Sequence, residues 1–190
     1  MVTAQVPRDN PHRPDRPDRL DRRDNLPTLE TIWRWLDEVA DPEIPVISLV
    51  DLGIIQDIRW QNDRFEITVT PTYSGCPATA AINLDIGEKL RQKGIEDFTI
   101  QQRLVPAWTT DWISEAGRAK LKAYGITPPA EAAASCIGVL KQNAVPRAAI
   151  ACPRCASENT VCISRFGSTP CKAAYRCRDC LEPFDYFKPF

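Results

Sequence analysis

Two cysteine pairs, Cys152-Pro153-Arg154-Cys155 and Cys177-Arg178-Asp179-Cys180, separated by 21 residues, constrain this chain more than any other feature. Each C-x-x-C turn presents two sulfurs to one point, and two such turns complete a four-sulfur tetrahedral shell. The last 40 residues hold six of the eight cysteines. So short a stretch buries too little surface to fold unaided, and a bound ion would supply the missing free energy. The spacing therefore predicts a C-terminal zinc ribbon over 151–190, with Cys152, Cys155, Cys177 and Cys180 as ligands of a structural Zn2+. A rubredoxin-like iron site and a redox-active C-x-x-C are the competing readings. The second pair argues against the redox one, because a redox C-x-x-C normally stands alone.

Histidine is nearly absent. His12 is the single one, which removes Ser-His-Asp triads, Cys-His dyads and His-rich metal sites as readings. Lys+Arg of 24 against Asp+Glu of 25 leaves a net charge of -1, without the basic bias of a dedicated nucleic-acid binder. Within 151–190, six cationic residues face four acidic ones. Phe184, Tyr186 and Phe187 beside them could stack on bases, dock on a protein or fill the ribbon's core. Nucleic acid is not the expected partner. No apolar run is long enough to span a bilayer, and none follows the initial Met, so a cytoplasmic location is expected.

Residues 1–27 alternate Pro, Arg and Asp with little to bury, and read as a disordered arm. Thr28 can cap a helix carrying Leu29, Ile32, Trp33, Leu36 and Val39 at helical spacing, ended by Asp41-Pro42. Ile54–Trp60 reads as a strand, Asn62-Asp63 as a hairpin turn, and Phe65, Ile67 and Val69 as the buried face of a second strand. Pro77–Lys93 reads as a helix stopped by Gly94, and Phe98, Ile100 and Leu104 as a third strand. Ser114–Tyr124 is a helix between a capping serine and Gly125. The order α-β-β-α-β-α over 28–125 predicts a small α+β domain, helices packed on a mixed sheet. Residues 126–150, rich in Ala and Pro, read as a linker.

Two further signals lie in the first domain. In Tyr73-Ser74-Gly75-Cys76-Pro77 the proline is expected at the first helical position. Cys76 would then sit near the N-cap, where the dipole and free N–H groups lower a thiol pKa. A small residue tucked into a turn reads equally well. Asp41-Pro42-Glu43 places two carboxylates in a rigid turn, and by itself is an ordinary helix stop.

These residues carry a resemblance. Asp41-Pro42-Glu43-Ile44-Pro45-Val46, Asp51-Leu52-Gly53-Ile54-Ile55 and Gly75-Cys76-Pro77 resemble the domain shared by iron–sulfur assembly factors of the SufT type. Trp108–Glu115 and Phe166–Ala173, taken with the ribbon, resemble the PaaD family of bacterial phenylacetyl-CoA epoxidase systems. The resemblance covers 28–190. It implies an accessory, non-enzymatic role in aerobic phenylacetate degradation: maturation of a metal-bearing component, chiefly the iron–sulfur flavin reductase, or else the di-iron oxygenase. It also implies transient iron or a [2Fe–2S] cluster at Cys76, with Asp41 and Glu43, and a possible homodimer. A structural or regulatory subunit without a cluster is the alternative. The chain itself has neither the Glu-x-x-His pairs of a di-iron site nor a Gly-rich dinucleotide fingerprint. Cys136 and Cys162 have no assigned role. Cys171, after the Gly-Ser-Thr-Pro turn, is either a further reactive thiol or a packed residue of the ribbon.

Overall fold

The computed structural model describes residues 26–129 and 150–189. The expected disordered arm, apart from its last two residues, lies outside them, as do His12, Cys136 and most of the expected linker. Helix α1 (Leu29–Leu36) is capped by the Thr28 hydroxyl, which accepts from the Thr31 N–H. Ile32 and Leu36 form its buried stripe. It ends earlier than expected: Asp37 is its C-cap, and Val39 is buried from a following turn instead of a helix. The reason is long-range, since an Ala40–Ser48 bridge and a Leu49 N–H to Val39 carbonyl bond pull the chain away.

Strands β1 (Ile55–Gln61) and β2 (Arg64–Val69) form an antiparallel hairpin. Asn62 (φ 53°) and Asp63 (φ 60°) make its two-residue turn, both in the left-handed region that such turns require. Helix α2 (Thr79–Gln92) buries Ile82, Ile86 and Leu90, then returns the chain to β3 (Phe98–Gln102), parallel to β2. Leu104 falls beyond the strand and is half exposed. The sheet order β1-β2-β3 is mixed, with β2 central and its Phe65, Ile67 and Val69 buried. Helix α3 (Glu115–Tyr124) runs from the Ser114 cap to Gly125 in the left-handed conformation. The observed architecture is the expected α+β arrangement.

The segment 108–114 locks the loop before β1. The Trp108 indole N–H donates to the Leu52 carbonyl at 3.1 Å, and Ser114 Oγ donates to Asp51 at 2.5 Å. Gly53 at φ +69° lies so close to Trp112 that a Cβ would stand 2.7 Å from it. Burial alone would raise the Asp51 pKa, but the bonds from Lys120 and Ser114 outweigh it and hold the carboxyl below its ordinary value. A carboxylate depressed in the fold stabilises above its unfolded pKa, and that contribution disappears as pH falls through the folded value. Asp51→Asn is thus expected to cost about 1 kcal/mol at pH 7, the pair being partly exposed. The deficit should begin to shrink below about pH 4, the unfolded carboxyl's range, and vanish only once pH falls under the lowered folded value, which thermal melts across that range would read.

Residues Ile126 and Thr127, expected in the linker, form strand β4 and pair in parallel with Asp185 and Tyr186 of β7 (Pro183–Phe187). Together with β5 (Thr160–Ser164) and β6 (Lys172–Cys177) they make a second sheet, ordered β4-β7-β6-β5. The ribbon is therefore not a freely tethered module. Phe187, fully buried, and Cys171 belong to the core of the first domain, and the Phe187 ring lies 5.9 Å from Trp108. The ribbon's own buried cluster is small: Cys152, Ala173, Tyr175, Cys177 and Phe184. Phe187→Ala should cost about 3–5 kcal/mol and lower the melting of ribbon and domain together. A domain transition that stayed put would show the two cores to be independent.

Candidate functional site

The four cysteines of the ribbon converge. Their sulfurs all lie within 4.8 Å of one another, and they are the single such group of metal-ligating side chains among the described residues. Cys152 and Cys180 approach to 3.7 Å, Cys155 and Cys177 to 3.6 Å. A tetrahedron with metal–sulfur bonds of about 2.3 Å has edges of about 3.8 Å, whereas a disulfide would bring sulfurs to about 2.05 Å. The spacing fits one tetrahedral ion between unbonded sulfurs.

Local bonding explains why the sulfurs stand so. In each turn the first cysteine's N–H donates to the carbonyl five residues on, Cys152 to Ser157 at 2.9 Å and Cys177 to Glu182 at 3.0 Å. The residue after each pair, Ala156 and Leu181, takes a positive φ that completes the turn. The Asp179 carboxylate joins the two turns by accepting from Ser157 Oγ and from Asn159 Nδ2. The Cys180 N–H points at Cys177 Sγ, and with the Asp179 N–H brings the Cys177 pKa down to about 7. Such a thiol gives up its proton readily to a metal. The nearby aromatics serve the interior: Tyr175 packs on Phe184 at 5.9 Å and on Tyr186 at 5.7 Å.

A second group assembles around Cys76. The Asp41 Oδ1 accepts from the backbone N–H groups of Glu43 (2.9 Å) and Ile44 (2.8 Å), wrapping the turn around Pro42. Asp41 is 6% exposed and burial raises its pKa. Glu43 is half-buried and raised as well, by burial and by the Asp41 charge, so it is no simple solvated carboxylate. Cys76 departs from expectation. Helix α2 begins at Thr79 with Ala78 as N-cap, and Cys76 sits in the preceding turn, its N–H donating to the Tyr73 carbonyl. Its thiol pKa is raised, chiefly by burial and further by Glu43 and Asp41, with the Ala78 N–H and Tyr73 opposing. The lowering expected from an N-cap position fails because the thiol lies before the helix and beside two carboxylates. The same surroundings invert for a bound cation: the negative charges that hold the proton on sulfur would attract the ion.

The structure brings three residues to this group that the sequence left unassigned or passed over. Cys171 is buried, and its thiol is raised by burial and by the charges of Glu43 and Asp41. Lys172, 4% exposed, lies 3.8 Å from Asp185, and its charge favours the ionised forms of Asp41, Glu43 and Cys171. The Tyr73 hydroxyl is buried, and its pKa is pushed up to about 12 by burial and by Cys76, Glu43 and Cys171. A buried Lys and a buried Tyr hydroxyl have no signature in one-dimensional spacing. Cys162 is exposed and stands apart, on β5.

The family model for an iron–sulfur cluster assembly protein matches residues 29–100, and that for the PaaD zinc β-ribbon domain matches residues 139–188. Over 162 residues, 85% of this chain and 93% of the other, the sequence is 45% identical to the Escherichia coli (strain K12) protein assigned as the D component of 1,2-phenylacetyl-CoA epoxidase. The chain belongs to this PaaD family. An Fe-S protein maturation auxiliary factor from Porphyromonas gingivalis is 38% identical over 98 residues, half of this chain and 92% of that protein. A solved domain of unknown function (DUF59) from Bacillus anthracis is 25% identical, covering 48% of this chain and 89% of its own, with a TM-score of 0.45. Membership of the PaaD family gives an accessory role in an epoxidase system, with partners among its components. No described helix is long and apolar enough to cross a membrane.

Proposed function

We propose that this PaaD-family chain is a non-catalytic maturation factor that delivers iron or an iron–sulfur cluster to the epoxidase system's iron–sulfur flavin reductase in the cytoplasm. The observation that carries the reading is the placement of Cys76. A half-buried thiol beside Asp41 and Glu43 offers one soft and two hard donors in surroundings whose charge favours a cation. The maturation factor related to its first half supports the same direction. Cys152, Cys155, Cys177 and Cys180 take the separate role of structural zinc ligands, and that ion supplies folding energy to the ribbon.

The thiol is held protonated while the site is free, which suits a transient carrier. A protonated sulfur is a poor target for oxidation and binds metal only when the ion displaces the proton. One thiol and two carboxylates also make a weaker set than four thiolates, so the cargo can leave.

The test is co-expression of the reductase and oxygenase with and without this chain. Iron per reductase is expected to fall when the chain is omitted, while iron in the oxygenase holds. Unchanged reductase iron combined with loss of complex assembly would favour a structural subunit that binds no cluster.

A further inference from the structure

The ribbon has a second face that neither its four ligand cysteines nor its contact with the first domain uses. Along a strand, neighbouring side chains point to opposite sides of the sheet. Phe187 of β7 enters the first domain's core, so Tyr186 before it projects from the other side. There Tyr186, with Ala173 and Tyr175 of β6, floors an open groove of about 390 Å³. Phe166 and Arg165, from the loop that joins β5 to β6, form its rim together with Lys188. The floor is buried or half-buried, while Phe166 and Arg165 are exposed.

The rim is held in place. Phe166 is a large ring left 68% exposed, yet the Lys188 ammonium stands 4.9 Å from its centroid and donates to the Arg165 carbonyl at 3.4 Å. The Phe166 N–H donates to Ser164 Oγ at 3.1 Å, and the next N–H, of Gly167, to the Lys172 carbonyl at 2.8 Å. A Cβ on Gly167 would stand 2.8 Å from Asp185, so the loop closes tightly on the sheet. A ring fixed in advance loses little freedom when a partner covers it. Phe166 also continues the aromatic floor, which makes it part of one apolar patch and not a scattered surface residue.

The charge of the groove has one sign. Arg165 and Lys188 line it and no carboxylate does. Arg165 makes no ion pair among the described residues, and the one carboxylate of β7, Asp185, is engaged by Lys172 and by Ser168 Oγ. We propose that this groove docks an extended segment of an epoxidase component, one that carries an aromatic or aliphatic anchor flanked by Asp or Glu. The anchor packs against Phe166 and over Tyr175 and Tyr186, and the flanking carboxylates meet Arg165 and Lys188. A rim so exposed does not enclose a small molecule, which a ligand pocket buries by about 70% or more. A nucleic-acid strand asks for a basic track along its backbone, whereas this groove has two cations in a chain of net charge -1. The inference goes beyond the maturation reading and requires no iron, since Cys76 has no part in the groove.

The test uses the full chain with its ribbon loaded with zinc, titrated calorimetrically with the purified reductase and, separately, the purified oxygenase. One of the two is expected to bind. Arg165→Glu and Phe166→Ala should each weaken that binding at least tenfold while keeping the zinc and the melting temperature of the parent, because both side chains are exposed. Cys162, exposed on the groove's wall, supplies a readout that needs no substitution. Its alkylation by a maleimide, followed at the level of single peptides by mass spectrometry, should slow at least tenfold in the complex. Cys76→Ala should bind as tightly as the parent, so a failure of the carrier reading would leave the docking result standing. A component that binds both groove variants like the parent, or that leaves Cys162 alkylation unchanged, would overturn the proposal, as would failure of both components to bind. A single-stranded oligonucleotide that protects Cys162 where neither component does would overturn it in favour of a nucleic-acid surface.

Discussion

Cys177→Ser is expected to release the zinc and unfold the ribbon. Cys177 is fully buried, its sulfur stands 3.6 Å from that of Cys155, and the Cys180 N–H points at it. A serine hydroxyl is a harder, shorter and far less acidic donor, so three thiolates remain where four are needed. Apparent binding energies of about 10–16 kcal/mol for four-ligand zinc sites dwarf what five buried side chains can contribute. The damage should spread. Phe187 and Cys171 leave the first domain's core with the ribbon, so the domain is expected to persist with a lowered melting temperature. Zinc per chain should fall well below one, and limited proteolysis should cut within 150–189. Stoichiometric zinc in this variant would refute the four-cysteine assignment. Cys171 is poorly placed to substitute, because it packs into the other core.

Cys76→Ala should leave the fold intact and abolish maturation. The side chain is half-buried in a turn, and the bonds that shape that turn, Cys76 N–H to Tyr73 carbonyl and Thr79 hydroxyl to Cys76 carbonyl, use backbone atoms that alanine keeps. The expected stability change is about 1 kcal/mol or less, with zinc retained. Removing the sulfur removes the donor that a metal can bind most tightly here. Co-expressed with the epoxidase components, the variant should lower both iron per reductase and epoxidation rate at least tenfold. Wild-type levels of both would make Cys76 a turn residue and take from the maturation reading its chemical centre.

Wherever local chemistry is sufficient, the sequence by itself determined the outcome. The Thr28 and Ser114 caps, the Asn62-Asp63 turn, the alternation of Phe65, Ile67 and Val69, and the two C-x-x-C turns each depend on residues within a few positions of one another. Long-range packing decided the rest. The early end of α1 follows from a bridge to Ser48, and the start of α2 at Thr79 moved Cys76 out of the capping position. Burial beside Asp41 and Glu43, which are more than 30 positions away in the chain, then reversed the direction of its pKa. Ile126 and Thr127 became a strand because β7 offered an edge, a fact no local composition encodes. Cys171 shows the division most plainly. Its spacing marked only an extra thiol, while the docking of the ribbon brought it, with Lys172, to the carboxylates of the first domain. Charge and burial act through space, so neighbours far apart in sequence set the chemistry of a site whose individual residues can be read one by one.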